Sequence, residues 1–408
     1  MEYVHRINSR YHRACRCPLF HAVSKSSARN RVSSSIRCDV SLITDKKVIT
    51  CLPSGRQSYM PRVSINLIVY NGEKYLPFAL SSIANQTFRD FSVLIIDNHS
   101  HDESIAFIEQ FLEDPSHKEL SSVTTLIKNR KNDGFAPAHN HAIHWSRSDY
   151  VFMMNQDVIL GDRYLEELTN FLDARKDAAA ASGMIFRWDL TTNCKTDSID
   201  TLGLVLTNSH KVVEWRDYED IKEPREVFGV SGALPMYRRS ALEVVKTPMF
   251  QESSKLYGEN RQATVYEYFD TDFFIYKEDV DLAYRLRLLG WSAYLVPGAI
   301  AWHDRTAAAK MGTIPNRRKK SSFVNFYSYR NHLYFLIKNL QFPIFIRHAH
   351  RIIPYELAKF FYVLFFEPRT LRALPDFAKN LRKMLKKRLF IKKQSGKDGW
   401  KNVEKWLR

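Results

Sequence analysis

Cysteine is scarce and placed for neither of its structural uses. Five occur in 408 residues, at positions 15, 17, 38, 51 and 194, with no CxxC pair and no even set. That spacing excludes a cysteine metal cluster and a disulfide-stapled scaffold, and a reducing compartment is the default expectation. Long apolar runs are missing as well. After residue 320 the longest uninterrupted one is Phe360 to Phe366, far short of the roughly 18 residues that span a bilayer. No apolar core follows the basic start, so a secretory signal is not expected. GxGxxG and Walker A sequences are also absent, which removes the dinucleotide fingerprint and the P-loop.

Acid is scarce at both ends. Residues 1–60 hold 11 Lys/Arg against 3 Asp/Glu, residues 61–304 hold 25 against 36, and residues 305–408 hold 25 against 5. An acidic body with basic tails argues against nucleic acid as a partner, because the phosphate-neutralising surface is expected on the folded domain itself. Residues 1–60 lack helical or alternating periodicity and read as an extension, either disordered or upstream sequence translated in error with Met60 as the start. Apolar residues at 45% and charged residues at 26% fit a globular body for the remainder.

From Arg62 onward, strand and helix patterns alternate. VSINLIVYN, FSVLIIDN, SVTTLIK and VFMMNQD read as strands, with helices between them over GEKYLPFALSSIANQ, 102–113 and 136–145. This alternation predicts βαβ units and an α/β fold with a mostly parallel central sheet flanked by helices and a ligand crevice at the strand ends. Those ends are polar: Tyr70-Asn71, Asp97-Asn98, Asn132-Asp133-Gly134 and Asn155-Gln156-Asp157. Each is by itself an ordinary turn or cap, but four in succession signal a nucleotide pocket. Residues 178–186 read as a further strand and 190–226 as an irregular polar insertion on the crevice side. FGVSGALPMYRRSALEVV gives a strand, a small-residue turn at Ser231-Gly232-Ala233 and a helix from about Arg239.

In EDVDLAYRLRLLG, Asp279, Leu282, Leu286 and Leu289 share a helical stripe, which points Asp279 into the fold. A carboxylate at a helix N-terminus is held ionised by exposed amides, which suits a general base, although a helix cap has the same signature. Asp281 and Arg285, four apart, read as a surface pair. Gly290 ends the helix, and a strand leads to Trp302-His303.

Taken in order, YNGEKYL, DNHSHDES, NDGFAPAHNHAI, NQD, SGA, EDVDLAYRLRLLG and the terminal WH resemble family-two glycosyltransferases of the GT-A fold, most of all the bacterial rhamnosyltransferase-type members. The likeness covers roughly residues 62–335 and implies inverting transfer from a nucleotide-diphosphate sugar, with dTDP-rhamnose the first donor to consider. By that resemblance Tyr70, Asn71, Asp97 and Asn98 lie along the nucleoside. Gly134, Asn140 and Asn155 lie toward the diphosphate, Asp157 with His303 holds Mg²⁺ or Mn²⁺, and Asp279 beside Glu278 is the base. Asn155 stands where the family's DxD signature begins, which removes one anionic ligand. A nucleotidyltransferase would need a Gly-rich basic loop after the first strand, and YNGEKYL has none. A nucleotide-sugar-binding or scaffold protein that has lost catalysis is the non-enzymatic alternative.

Three segments result: the extension 1–60, a GT-A domain at 61–320 and a helical basic region at 321–408. In the last, Phe377, Leu381, Met384 and Leu385 line one face amid Arg382, Lys383, Lys386, Lys387 and Arg388. This predicts a helix lying on an anionic cytoplasmic leaflet, bringing the enzyme to a lipid-linked glycan acceptor at the inner face of the plasma membrane. The alternative is a helix whose apolar face covers the core. Arg285 or the run Arg317-Arg318-Lys319-Lys320 is a further candidate for holding phosphate.

Overall fold

Side chains alternate across a strand, and in VFMM that alternation sorts residues between two cores. Val151 and Met153 join Ala136, Ile143, Leu242, Leu282 and Leu286, whereas Phe152 and Met154 join Leu76, Leu80, Leu165 and Leu168. The run is apolar throughout because helices cover both faces of the sheet. The computed structural model describes residues 60–217, 220–250, 265–305 and 321–408, so the extension up to residue 59 and the run Arg317–Lys320 lie outside the described residues.

Strands β1 (Val63–Val69), β2 (Phe91–Asp97), β3 (Thr124–Lys128) and β4 (Tyr150–Asn155) are parallel and ordered β3-β2-β1-β4. Between them run α1 (Leu76–Ala84), α2 (Ser104–Glu113), α3 (Lys118–Ser122) and α4 (Phe135–Trp145). The chain winds outward from β1 to β3 and returns on the far side of β1. Strand order therefore reverses between β1 and β4, the position where open α/β sheets bind ligands.

Beyond β4 come β5 (Val158–Leu160), α5 (Tyr164–Ala174), β6 (Ala178–Asp189) and β7 (Cys194–Thr201), then β8 (Leu204–Leu206), β9 (Val212–Glu214), β10 (Arg225–Val227) and β11 (Met236–Arg238). After α6 (Arg239–Val245) follow β12 (Thr247–Pro248), β13 (Tyr266–Glu267), α7 (Glu278–Leu288) and β14 (Ser292–His303). The sheet continues β4-β11-β6-β14-β10, with β11 antiparallel to both neighbours and β14 parallel to β6. The architecture is thus the expected α/β class, a curled central sheet flanked by helices. The expected irregular insertion at 190–226 instead holds β7 to β10. Three of these are three residues long, and most side chains of β7 face water, so neither alternation nor a long apolar run marks them in the sequence.

Helices α8 (Ser322–Asn339), α9 (Phe342–Phe366), α10 (Ala373–Ser395) and α11 (Gly399–Glu404) complete the chain. Tyr334, Phe335, Ile344, Met384, Ile391 and Val403 share a core with Val280, Ala283, Tyr284 and Leu288 of α7. Helix α7 is therefore covered on both sides, by the sheet and by these C-terminal helices. This corrects the surface pair: Asp281 and Arg285 are buried at 0% and 1% exposure and hydrogen-bonded at 2.9 Å. Arg285 spends its other nitrogens on the carbonyls of Val245 and Tyr268, so it is not available to phosphate. The expected membrane face of α10 is corrected in the same way. Met384 is fully buried, and Lys387 turns inward to Glu267, Asp270 and Asp272. Core packing has taken Phe377 and Met384 from that face, while Leu385 stays 42% exposed.

Candidate active site

Strand register brings together side chains that are far apart in the chain. β5 pairs antiparallel with the end of β14, placing Val158 opposite His303, and the Asp304 amide donates to the Asp157 carbonyl at 2.9 Å. The Asp157 carboxylate consequently sits 3.3 Å from His303 Nε2. On the other side of the ring, Nδ1 meets Asp200 Oδ2 at 2.9 Å. Burial alone would pull this imidazolium down, but Asp157 and Asp200 outweigh it and raise the pKa to about 9. With no ion bound the ring carries a proton between two carboxylates, and a cation at Nε2 would have to displace it.

The same donor set suits a divalent cation. A hard carboxylate oxygen faces an imidazole nitrogen, and the opposite ring nitrogen is fixed by a carboxylate, the outer partner that metal-bound histidines usually keep. Among the described residues no group of three His, Cys, Asp or Glu side chains forms a fuller ligand set. Asp157 and His303 would thus hold an ion that completes its shell with water and substrate oxygens, as Mg²⁺ commonly does.

The polar network continues from Asp200. Arg305 Nε lies 2.7 Å from Asp200, and Arg305 Nη2 lies 2.9 Å from Glu214, which also accepts from Ser231 Oγ at 3.2 Å. The next residue, Gly232, donates its amide to Asp279 Oδ2 at 2.9 Å. Polar contacts, together with the Ser231-Gly232 peptide bond, therefore join Asp157 to Asp279. Gly232 has to be small at this point, since an added Cβ would lie 3.3 Å from that of Asp279. Asp200, Glu214 and Arg305 were not singled out from the sequence. Two of them lie in the segment whose strands were not legible.

Asp279 is partly exposed and has no ion-pair partner among the described residues. Burial first, then Glu214, raises its pKa, while the amides of Gly232 and Val280 pull it back. The expectation that helix amides hold it low thus yields to desolvation. Beside it Glu278 is buried, and its Oε2 has no hydrogen-bond partner. Burial and the neighbouring Asp279 push the Glu278 carboxyl up to about 8, so it is neutral at neutral pH. Its folded pKa exceeds the unfolded value, so any stability tied to its protonated form is intact below about 4.3 and lost as pH rises toward 8. Glu278→Gln is therefore expected to raise the melting temperature above neutral pH and to flatten its decline across that window. Melting curves of the two proteins from pH 5 to 9 check this.

The nucleoside side sits at the ends of β1 and β2. Asp97 is buried, with Oδ2 accepting the amides of His99 and Ser100 and Oδ1 left without a partner. Asn71, at φ 50°, accepts the His101 amide, and Tyr70 is exposed. Gln156, assigned no role of its own from the sequence, hydrogen-bonds both the amide and the carbonyl of Tyr70, tying the β1 end to the turn that carries Asp157. Asn155 closes β4 with its amide on the Ala233 carbonyl. Asn98 organises the 129–134 loop through Asn129, Asn132, Asp133 and Gly134. Gly134 has φ 90° and lies against the Phe274 ring, where no Cβ fits. Asn140 departs from its assignment beside the diphosphate: it is wholly buried, and its amide is spent on the backbone of Tyr268 and Phe269.

Residues 64–246 match the family described as Glycosyl transferase family 2. An uncharacterized glycosyltransferase of Haemophilus influenzae is 30% identical over 113 residues, 28% of this chain and 43% of that protein. The Staphylococcus aureus poly(ribitol-phosphate) beta-N-acetylglucosaminyltransferase TarP is 32% identical over 117 residues, 28% of this chain and 33% of that protein. The chain thus spans less than half the length of these curated relatives. Among solved structures, the mannosyltransferase PcManGT of Pyrobaculum calidifontis, with GDP-Man and Mn²⁺, has a TM-score of 0.46 at 17% identity, covering 85% of this chain and 88% of that one. Residues 64–246 of this chain carry a Glycosyl transferase family 2 domain.

Proposed function

We propose that the chain is an inverting glycosyltransferase of the GT-A kind, moving a sugar from a nucleotide-diphosphate donor to an acceptor hydroxyl. The observation that carries this reading is the run of polar contacts that, through the Ser231-Gly232 peptide bond, links Asp157 to Asp279. In this reading the acceptor oxygen attacks the sugar carbon as the bond to the leaving phosphate breaks, and Asp279 takes the hydroxyl proton. Its raised pKa suits the task, because a base effective near neutrality must also hold the proton it takes. Asp157 and His303 would hold a divalent ion, which would supply Lewis-acid stabilisation of the departing diphosphate. The unpartnered Asp97 Oδ1 is an acceptor for a base N–H, with Tyr70 and Asn71 alongside. L-rhamnose from dTDP-rhamnose remains the first donor to test. UDP-N-acetylglucosamine joins the panel because TarP, by its name, transfers N-acetylglucosamine. The acceptor is a hydroxyl of a lipid-linked cell-surface glycan at the cytoplasmic face of the membrane.

A calorimetric panel of nucleotide sugars with Mn²⁺ or Mg²⁺, followed by turnover of the one that binds, tests the reading. Micromolar binding of one donor is expected. Its turnover should be lost in a chelator and restored by added metal. Failure of every nucleotide sugar to bind would overturn the proposal. Binding without turnover would favour the non-catalytic scaffold.

A further inference from the structure

Helix α9 is apolar on two sides, and among the described residues only one of them is packed. Ile344, Ile352 and Val363 are buried against the core. A second set, Phe342, Ile346, Ile353, Leu357, Phe361 and Phe365, is between 46% and 69% exposed. Their spacing of fours and one seven keeps them to one side of a helix of about 3.6 residues per turn. Scattered exposed apolar residues are ordinary on a protein surface, but a continuous stripe along 25 helical residues is not. No helix among the described residues is long and apolar enough to cross a membrane.

Exposed charge along α9 and α10 is of one sign. Arg351, Arg369, Arg372, Lys379, Arg382 and Lys386 are exposed. The acidic residues of the same segment are not: Glu356 is on His332 at 2.6 Å, Asp376 on Arg330 at 2.8 Å, and Glu367 is buried. Aromatic and aliphatic side chains on one face, with cations and no exposed anion beside them, match the chemistry of an anionic lipid surface. We propose that the outer face of α9, and not the face of α10 expected from the sequence, lies in the headgroup region of an anionic membrane and holds the active site near a lipid-linked acceptor. The function of this contact rests on the glycosyltransferase reading, whereas its existence does not.

Sedimentation of the full chain with sucrose-loaded phosphatidylcholine vesicles, with and without phosphatidylglycerol, tests the contact without any sugar donor. Binding is expected only with phosphatidylglycerol present. It should fall roughly tenfold or more in a Phe361→Ser, Phe365→Ser double variant, since each removes a buried apolar group from the interface. Nucleotide-sugar binding in that variant should be unchanged and reports that it is folded; Leu357→Gln replaces it if it is not. Equal sedimentation of variant and wild type overturns the proposal, as does equal binding to neutral vesicles. Light scattering that shows a dimer abolished by the same substitutions would assign the stripe to a second copy and also overturn it.

Discussion

Replacing Asp279 with Asn is expected to lower sugar transfer about 10²- to 10⁴-fold, the usual range for loss of a positioned general base. The amide keeps the shape and still accepts the Gly232 amide, so donor affinity should change little. An effect on turnover with donor affinity preserved separates a base from a binding residue. Two accompanying signs follow from the environment. Burial and Glu214 make ionised Asp279 costly, so the variant should melt no lower than wild type at neutral pH. The acidic limb of the wild-type rate should lie above the ordinary carboxylate value of about 3.9 and vanish in the variant. Steady-state rates from pH 4 to 8 with calorimetry of the donor decide the matter. Transfer within tenfold of wild type would remove Asp279 from the mechanism.

The second large effect concerns stability. Lys387 of α10 and Lys338 of α8 are fully buried among Glu267, Asp270, Asp272 and Asp281, with Lys338 at 2.7 Å from Asp270 and Lys387 at 2.6 Å from Glu267. Removing one partner of such a cluster leaves buried carboxylates uncompensated, at a cost of about 3–5 kcal/mol. Lys387→Met is therefore expected to destabilise the protein by that amount. Lys386→Met, one residue away and exposed, should fall within about 0.5 kcal/mol.

The pH dependence has a defined sign. Burial raises the Asp270 carboxyl, but Lys338 and Lys387 outweigh it and set its folded pKa below the unfolded value. Its contribution is then present above about pH 3.9 and lost as pH falls. Lys387 is raised well above its ordinary range, chiefly by Asp270 and Glu267 against the pull of burial, so its contribution persists through neutrality. The gap between Lys387→Met and wild type should accordingly be widest at neutral pH and narrow on acidification. Chemical denaturation at pH 7 and pH 3 measures it.

These lysines also explain part of what could not be read in advance. Strands β1, β2 and β4 declare themselves, because both faces are covered and the runs are mostly apolar. Their polar ends, with Asp97 and Asp157, were visible for the same reason, and Asp279 by its place at the head of a helical stripe. Asp281 and Arg285 were misplaced because four-residue spacing looks the same on a surface as under a second layer of helices, and nothing local to EDVDLAYRLRLLG says that α8 and α10 cover it. Lys387 looked like part of a membrane-facing cationic run, since its carboxylate partners lie more than a hundred residues upstream. Asp200 and Glu214 sit on short polar strands with no period to detect, and only the registers of β5 with β14 and of β6 with β7 bring their neighbourhood to His303. Asn140 reads as a free amide until its backbone partners at 268 and 269 are known.

The most direct test of the whole account is the anomeric configuration of the product. Proton NMR of the glycoside formed from a donor of known configuration should show inversion, because the proposed single base, Asp279, calls for a single displacement of the diphosphate by the acceptor. A product that retains the donor's configuration would contradict it.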